Sequence, residues 1–230
     1  MTFGNPIAML QDWRRFPIEW ALRRTVAPTL EPVTLQEVKD HLRGVSIADE
    51  DALLQSHIVT ARETMEGLLC KALMQQTLEL NLSRFPGWAL PLPRTGNLDL
   101  TDLLTSVTSV QYIDMNGNTQ IRPTSQYIVD AHHQPIARLL PFGIDPLTGN
   151  QDVPTYWTPT RYVPNAVTVT YVAGVASIGA VPQMIRQALL MVVGTLYENR
   201  EAEATTVLTR LPIFDVLMDQ HASTWEPEFA

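Results

Sequence analysis

The 230-residue sequence contains a single cysteine, Cys70, so no disulfide can close within one chain. Cys70 follows Leu68 and Leu69 near the end of an expected helix, and reads as a small buried apolar residue rather than a nucleophile. No apolar run reaches the roughly 20 residues a membrane span needs, so no membrane segment is expected. The N-terminus lacks a continuous apolar stretch with a small-residue cleavage site, so no signal peptide is expected either. Basic residues are in deficit, with 16 Lys and Arg against 24 Asp and Glu and a formal charge of −8. That excludes a general nucleic-acid binder, which needs a basic surface to neutralise phosphates. An acidic surface remains compatible with a passage through which DNA slides without sticking.

Recognisable chemistry is also missing. There is no G-x-S-x-G, no P-loop and no glycine-rich dinucleotide fingerprint. His132 and His133 are neighbours, but in an extended strand they point to opposite faces, and no Cys or carboxylate stands at metal-ligand spacing beside them. Asp99 and Asp102 could be paired carboxylates, yet nothing beside them supports acid–base work. The expectation is a protein that is not an enzyme and holds no cofactor or metal.

What is present is a core. Hydrophobic residues are 45% of the chain, and seventeen prolines imply long irregular connections. The organising stretch is 181–200, VPQMIRQALLMVVGTLYENR, with six consecutive apolar residues from Ala188 to Val193. A helix apolar on nearly every side must be enclosed by other elements. Pro182 suits its first turn. Upstream, Thr34-Leu35-Gln36-Glu37 is a capping box, opening a short helix that buries Leu35, Val38 and Leu42 and stops at Gly44. A second helix carries a seam of Leu54, Ile58, Ala61, Met65 and Leu68, with Arg62, Glu63 and Glu66 lying off it. The two form a hairpin, and the long one is the natural partner of the 181–200 helix.

Between them the period changes. Residues 77–82 alternate polar and apolar, as a half-buried strand does. Leu90-Pro91-Leu92-Pro93 is extended and suited to a sheet edge. Strands are expected around 107–113, 119–122, 127–130 and 136–140, with Asn116-Gly117 as a hairpin turn. Residues 167–172 are the strongest strand by β-branched content. The long connection 141–166 carries Tyr156, Trp157 and Tyr162, which marks it as functional rather than a solvated connector. The fold class is therefore α+β. A helical bundle core, with helices near 34–43, 49–71 and 182–201, carries an inserted β-rich block. In domain terms, 1–32 is an N-terminal arm, 33–75 with 176–204 the helical core, 76–175 the insertion, and 205–230 a C-terminal segment and tail.

Both ends are rich in aromatics. The arm interleaves Trp13, Phe16 and Trp20 with Arg14, Arg15, Arg23 and Arg24, a composition suited to docking on protein more than on nucleic acid. The tail carries Phe214, Trp225 and Phe229, and reads as a peptide ligand for a neighbour. Trp13, Phe16, Trp20, Tyr156, Trp157, Phe214, Trp225 and Phe229 are thus the candidate contacts to another copy or a partner.

The ordered set PVTLQEVKDHLRG, DEDALLQSHIVTARETMEGLL, QQTLELNLSRFP, PNAVTVTYVAG, VPQMIRQALLMVVGTLYENREA and LPIFDVLM resembles bacteriophage head–tail connector proteins, more narrowly the gp6-like and phiE125 gp8-like adaptor group. The resemblance spans about 32–218. It implies a virion structural protein at the head–tail junction, made in the bacterial host cytoplasm. Such adaptors form a ring of twelve copies beneath the portal protein, continue the DNA channel and present a surface to the next neck or tail protein. The family brings no catalytic residues, no cofactor and no specific DNA contact. The stretch before Pro32 and the tail after Met218 depart from the family pattern. Two other readings stay open: a different neck, tail-completion or baseplate component, and a ligand-binding module built on the β block.

Overall fold

The computed structural model describes residues 18–42, 50–95, 97–98, 101–133, 136–143, 153–154 and 156–198. Its centre is the strand that β-branched content singles out. That strand, β11 (Val167–Ala173), has alternating burial and lies between β2 (Gln76–Leu82) and β6 (Leu104–Ile113), antiparallel to both. The sheet is completed at its ends by β1 (Trp20–Val26) and β7 (Thr119–Ile121), giving the order β1-β2-β11-β6-β7. The register sets Leu22 against Leu80, Leu80 against Val169, and Val169 against Val110. Cross-strand pairs of this kind fix register, because a slip by one residue would turn every apolar side chain outward.

A second sheet covers the buried face. It contains β3 (Leu90–Pro91), β8 (Tyr127–Asp130) and β9 (Arg138–Gly143), with β10 (Val153–Pro154) beyond β9. A two-stranded ribbon joins β4 (Asn97–Leu98) to β5 (Thr101–Asp102). One apolar cluster takes in Leu78, Leu80, Leu82, Val167, Val169 and Tyr171 from the large sheet and Leu90, Tyr127 and Leu139 from the small one. The β6–β7 turn is built on Gly117 at φ +91° and on Asp114, whose side chain accepts the backbone N–H groups of Asn116 and Asn118.

A second apolar cluster belongs to the helices α1 (Leu35–His41), α2 (Asp51–Leu69) and α3 (Gln183–Glu198). The capping box forms as the sequence expects, with Thr34 Oγ1 accepting from Glu37 N–H and the Glu37 carboxylate accepting from Thr34 N–H at 2.8 Å. Leu54, Ile58, Ala61 and Met65 are buried, as are Ile185, Ala188, Leu189, Val192 and Val193. The enclosure of α3 is nevertheless incomplete: Gln183, Met184 and Gln187 in its first turns are exposed. Gly44, the expected stop of the first helix, and the hairpin loop after it lie outside the described residues.

Four expectations need correction. The seam of α2 closes on Leu69, and Leu68 is exposed, because Ala61, Met65 and Leu69 continue an i, i+4 row. Cys70 is exposed, not buried; the helix ends there in a left-handed turn at φ +52° that swings the residue out of the apolar seam. Arg62 and Glu66 are buried rather than on a polar face, for reasons given below. His132 and His133 follow β8 instead of lying in a strand, and His133 Nδ1 sits 3.0 Å from the Ile136 carbonyl.

Strand β1 brings part of the expected arm into the body of the protein. Residues 20–24 and Val26 pair with β2 across a register shift at Thr25, and so share a sheet with strands of the expected 76–175 block. The two apolar clusters meet where 72–76 passes 173–175: Gly174 N–H donates to Leu103 O, Val175 N–H to Leu73 O, and Gln75 N–H to Val175 O. Gly174, at φ +98°, lies so near Met74 that a Cβ there would sit 2.2 Å from its carbonyl oxygen.

Candidate protein interface

Of the eight aromatic candidates, Trp13, Phe16, Phe214, Trp225 and Phe229 lie outside the described residues. The other three have separate fates. Tyr156 is 83% exposed, a large aromatic side chain standing in solvent. Trp157, next in sequence, is only 6% exposed: its ring stacks on Phe85 at 4.6 Å and 5°, and the Arg122 guanidinium lies 5.1 Å from the ring centre. Arg122 is held there by Thr158 Oγ1 at 2.8 Å and the Gln126 carbonyl at 3.1 Å. Trp157 therefore anchors the long connection to the β core, while Tyr156 faces outward from that anchor.

Trp20 is 41% exposed and opens a groove of about 600 Å³. Trp20, Leu22 and Arg24 of β1 form one wall, Gln76 and Leu78 of β2 the floor, and Glu63 and Glu66 of α2 with Cys70 just past its end the other wall, with Pro93 and Arg94 closing one end. Sequence reading marked only Trp20 among these. The rest come together through the sheet pairing and through two bends held in left-handed geometry, at Cys70 and at Arg94 (φ +60°). Ala72 N–H donates to Arg94 O at 3.0 Å and ties the two bends to each other.

Behind the groove lies a buried ionic network. Glu66, 2% exposed, accepts from Arg62, from the Leu73 backbone N–H at 2.9 Å and from the Gln76 amide at 2.8 Å. Arg62, 3% exposed, also binds Glu31 at 2.8 Å. Burial works against the Arg62 charge, but the hydrogen bond to Glu31 and the charges of Glu66, Glu31 and Glu63 more than offset it and raise its pKa. Charges at such depth persist only when paired and fully hydrogen-bonded. At the rim Arg24 meets Glu63 at 2.7 Å, and this bond holds the Glu63 carboxyl below its ordinary range. A second ionic tie crosses from α1 to α3, where Arg186 binds Glu37.

Among the described residues no three His, Cys, Asp or Glu side chains gather as a metal site requires, and no helix is long and apolar enough to cross a membrane. Asp99 lies outside the described residues. Among the described residues the features that stand out are exposed aromatics, a sheet edge with no strand beyond it and a groove beside it, which are the materials of a protein interface.

No protein family matches the sequence, and no curated protein matches it. Solved structures do. A chain in the neck of an empty gene transfer agent particle, computed with C6 symmetry, aligns with a TM-score of 0.66 at 23% identity, over 90% of this chain and 98% of that one. A chain in the virion of a native gene transfer agent particle gives 0.66 at 23% identity, over 90% and 97%. One in the neck of the native particle, computed with C12 symmetry, gives 0.64 at 19% identity, over 90% and 98%. At these identities the likeness establishes a shared fold along nearly the whole chain. The finer gp6-like and phiE125 gp8-like assignment is not carried by it.

Proposed function

We propose that this protein is a structural component of the neck of a tailed bacteriophage or phage-like particle, acting as a head–tail adaptor. Copies form a ring beneath the portal, twelve in number, that extends the DNA channel and meets the next neck or tail protein. The observation that carries this reading is the likeness of nearly the full chain to chains from particle necks computed with C6 and C12 symmetry. The fold accounts for both helices and β block together, so the reading does not rest on one common motif.

The physical features fit. A rotational ring joins unlike faces head to tail, so each copy needs two different surfaces. The chain offers two unlike sheet edges, β1 and β7, the exposed Tyr156, and aromatic segments before residue 18 and after residue 198. A charge of −8 suits a channel wall that DNA passes without binding. The three helices serve as the bundle core, and the role is not catalytic. The protein is made in the host cytoplasm and resides at the head–tail junction of the virion.

Deletion of 1–17 and of 205–230, each followed by assays of ring formation and portal binding, tests which segment makes the contacts. Loss of assembly in either supports the reading; unchanged assembly in both rejects a role for the two ends. A deletion of the whole 1–32 segment is unsuitable, because it removes β1 from the sheet.

A further inference from the structure

We infer that the groove beside β1 is a docking site for the C-terminal tail of a neighbouring copy, which adds as an antiparallel strand to the β1 edge through Trp225–Phe229. This rests on the reading that copies of the chain assemble.

Among the described residues the edge is unpaired on a definite side. Ser83 N–H donates to Glu19 O at 2.9 Å, so Glu19 is a bonded partner of β2. In an antiparallel pair such positions alternate, so Ala21 and Arg23 also face β2 while Leu22 and Arg24 turn their backbone N–H and C=O to the outside. Among the described residues no strand pairs with that side. The side chains of Leu22 and Arg24 line the groove. An incoming strand would therefore gain ladder bonds from the edge and side-chain contacts from the groove at once, the mode by which extended peptides join sheets.

The tail matches in pattern and charge. In Trp225-Glu226-Pro227-Glu228-Phe229 the bulky residues alternate with glutamates. Pro227 has no N–H, so it can occupy an added strand only with its nitrogen turned away from β1. Glu226 and Glu228 then pair with the β1 backbone. Directly opposed residues of an antiparallel pair share a face, so both carboxylates fall on the groove side with Arg24 and Arg94. Arg94 is ready for them: its guanidinium makes one 3.4 Å bond to the Glu66 carbonyl, leaving further N–H donors in a fork suited to carboxylates. The two carboxylates already in the groove are engaged, Glu63 by Arg24 and Glu66 by Arg62, Leu73 and Gln76. The other undescribed end fits worse, since an added strand through Arg14-Arg15 would set one of these arginines on the groove side with Arg24 and Arg94. Reach is sufficient: from Glu198 to Ala230 the chain can extend about 100 Å.

Cys70, the single cysteine and a groove residue, supplies the test. Full-length chains carrying Cys70→Ser and one tail substitution (Trp225→Cys, Glu226→Cys, Pro227→Cys or Glu228→Cys) are mixed with a differently tagged natural chain and mildly oxidised. Disulfide-linked heterodimers are read on a gel without reductant. The expected result is a period of two, with Glu226→Cys and Glu228→Cys linking several-fold more than Trp225→Cys and Pro227→Cys. Adding Arg94→Gln to the natural chain should lower linking several-fold. Absent linking, or equal linking at all four positions, overturns the inference. Solution mass of the same mixtures separates the two proposals: a ring without linking removes only the docking site, whereas chains that never associate with one another or with a portal remove the neck assignment as well.

Discussion

Trp157 is the large side chain through which the long connection enters the β core. It fills the space over Phe85 and beneath Arg122, and no strand of any length holds residues 156–166 in its place. Trp157→Ala should therefore lower unfolding free energy by about 3–5 kcal/mol, read by chemical denaturation. Tyr156→Ala, one position away and solvent-exposed, should stay within about 0.5 kcal/mol. Two glycines make a sharper contrast. Gly194 lies on α3 facing α1, and a Cβ there would meet His41 and Leu42 at 3.7–3.9 Å, ordinary contact distances. Gly194→Ala should stabilise by about 0.5–1 kcal/mol through helix propensity. Gly174→Ala should destabilise, by about 1–3 kcal/mol for the left-handed backbone alone, with the collision against Met74 added. Thermal melts of the pair should move in opposite directions.

At the level of elements, the helical layer is fastened by polar devices at its ends and in its interior. The Thr34–Glu37 box starts α1, and Thr34→Ala should cost about 0.5–2 kcal/mol. The same Glu37 gives the layer an acid limb. Its carboxyl is held below the ordinary range first by the Thr34 backbone N–H; burial opposes this, and the Thr34 hydroxyl and Arg186 add smaller lowering effects. A depressed carboxyl stabilises above its unfolded pKa, and that contribution is lost as pH falls through the folded value. Urea midpoints should accordingly drop below the ordinary glutamate range, and Glu37→Gln should flatten part of that drop. The interior device is Arg62–Glu66. Glu66→Ala leaves a buried guanidinium short of a partner and two donors unsatisfied, and should cost about 3–5 kcal/mol in a denaturant titration.

Elements also show what could be read in advance. Strands 76–82 and 167–173 were legible because each has one buried face, so alternation survives in the residues. The box at Thr34 was legible because capping is local. Strand 20–26 was not: WALRRTV lies at a sheet edge, mostly exposed, and edge exposure erases the alternation that would reveal it. Burial of Arg62 and Glu66 was equally hidden, since their partners are Glu31, Leu73 and Gln76, supplied by the fold rather than by the helix. Cys70 followed a run of apolar residues, and only the left-handed turn at its own backbone places it outside. The groove was invisible for the same reason, being assembled from β1, β2, α2 and the 93–94 bend.

On the scale of the whole molecule, the described residues form two apolar clusters joined through the crossing of 72–76 with 173–175. In the proposed role the chain is completed by assembly rather than by a ligand. The most direct measurement is native mass spectrometry of the full 25.8 kDa chain with a purified portal ring. The account predicts a discrete complex with twelve copies on the portal. A chain that stays a 25.8 kDa monomer and never joins the portal would contradict it.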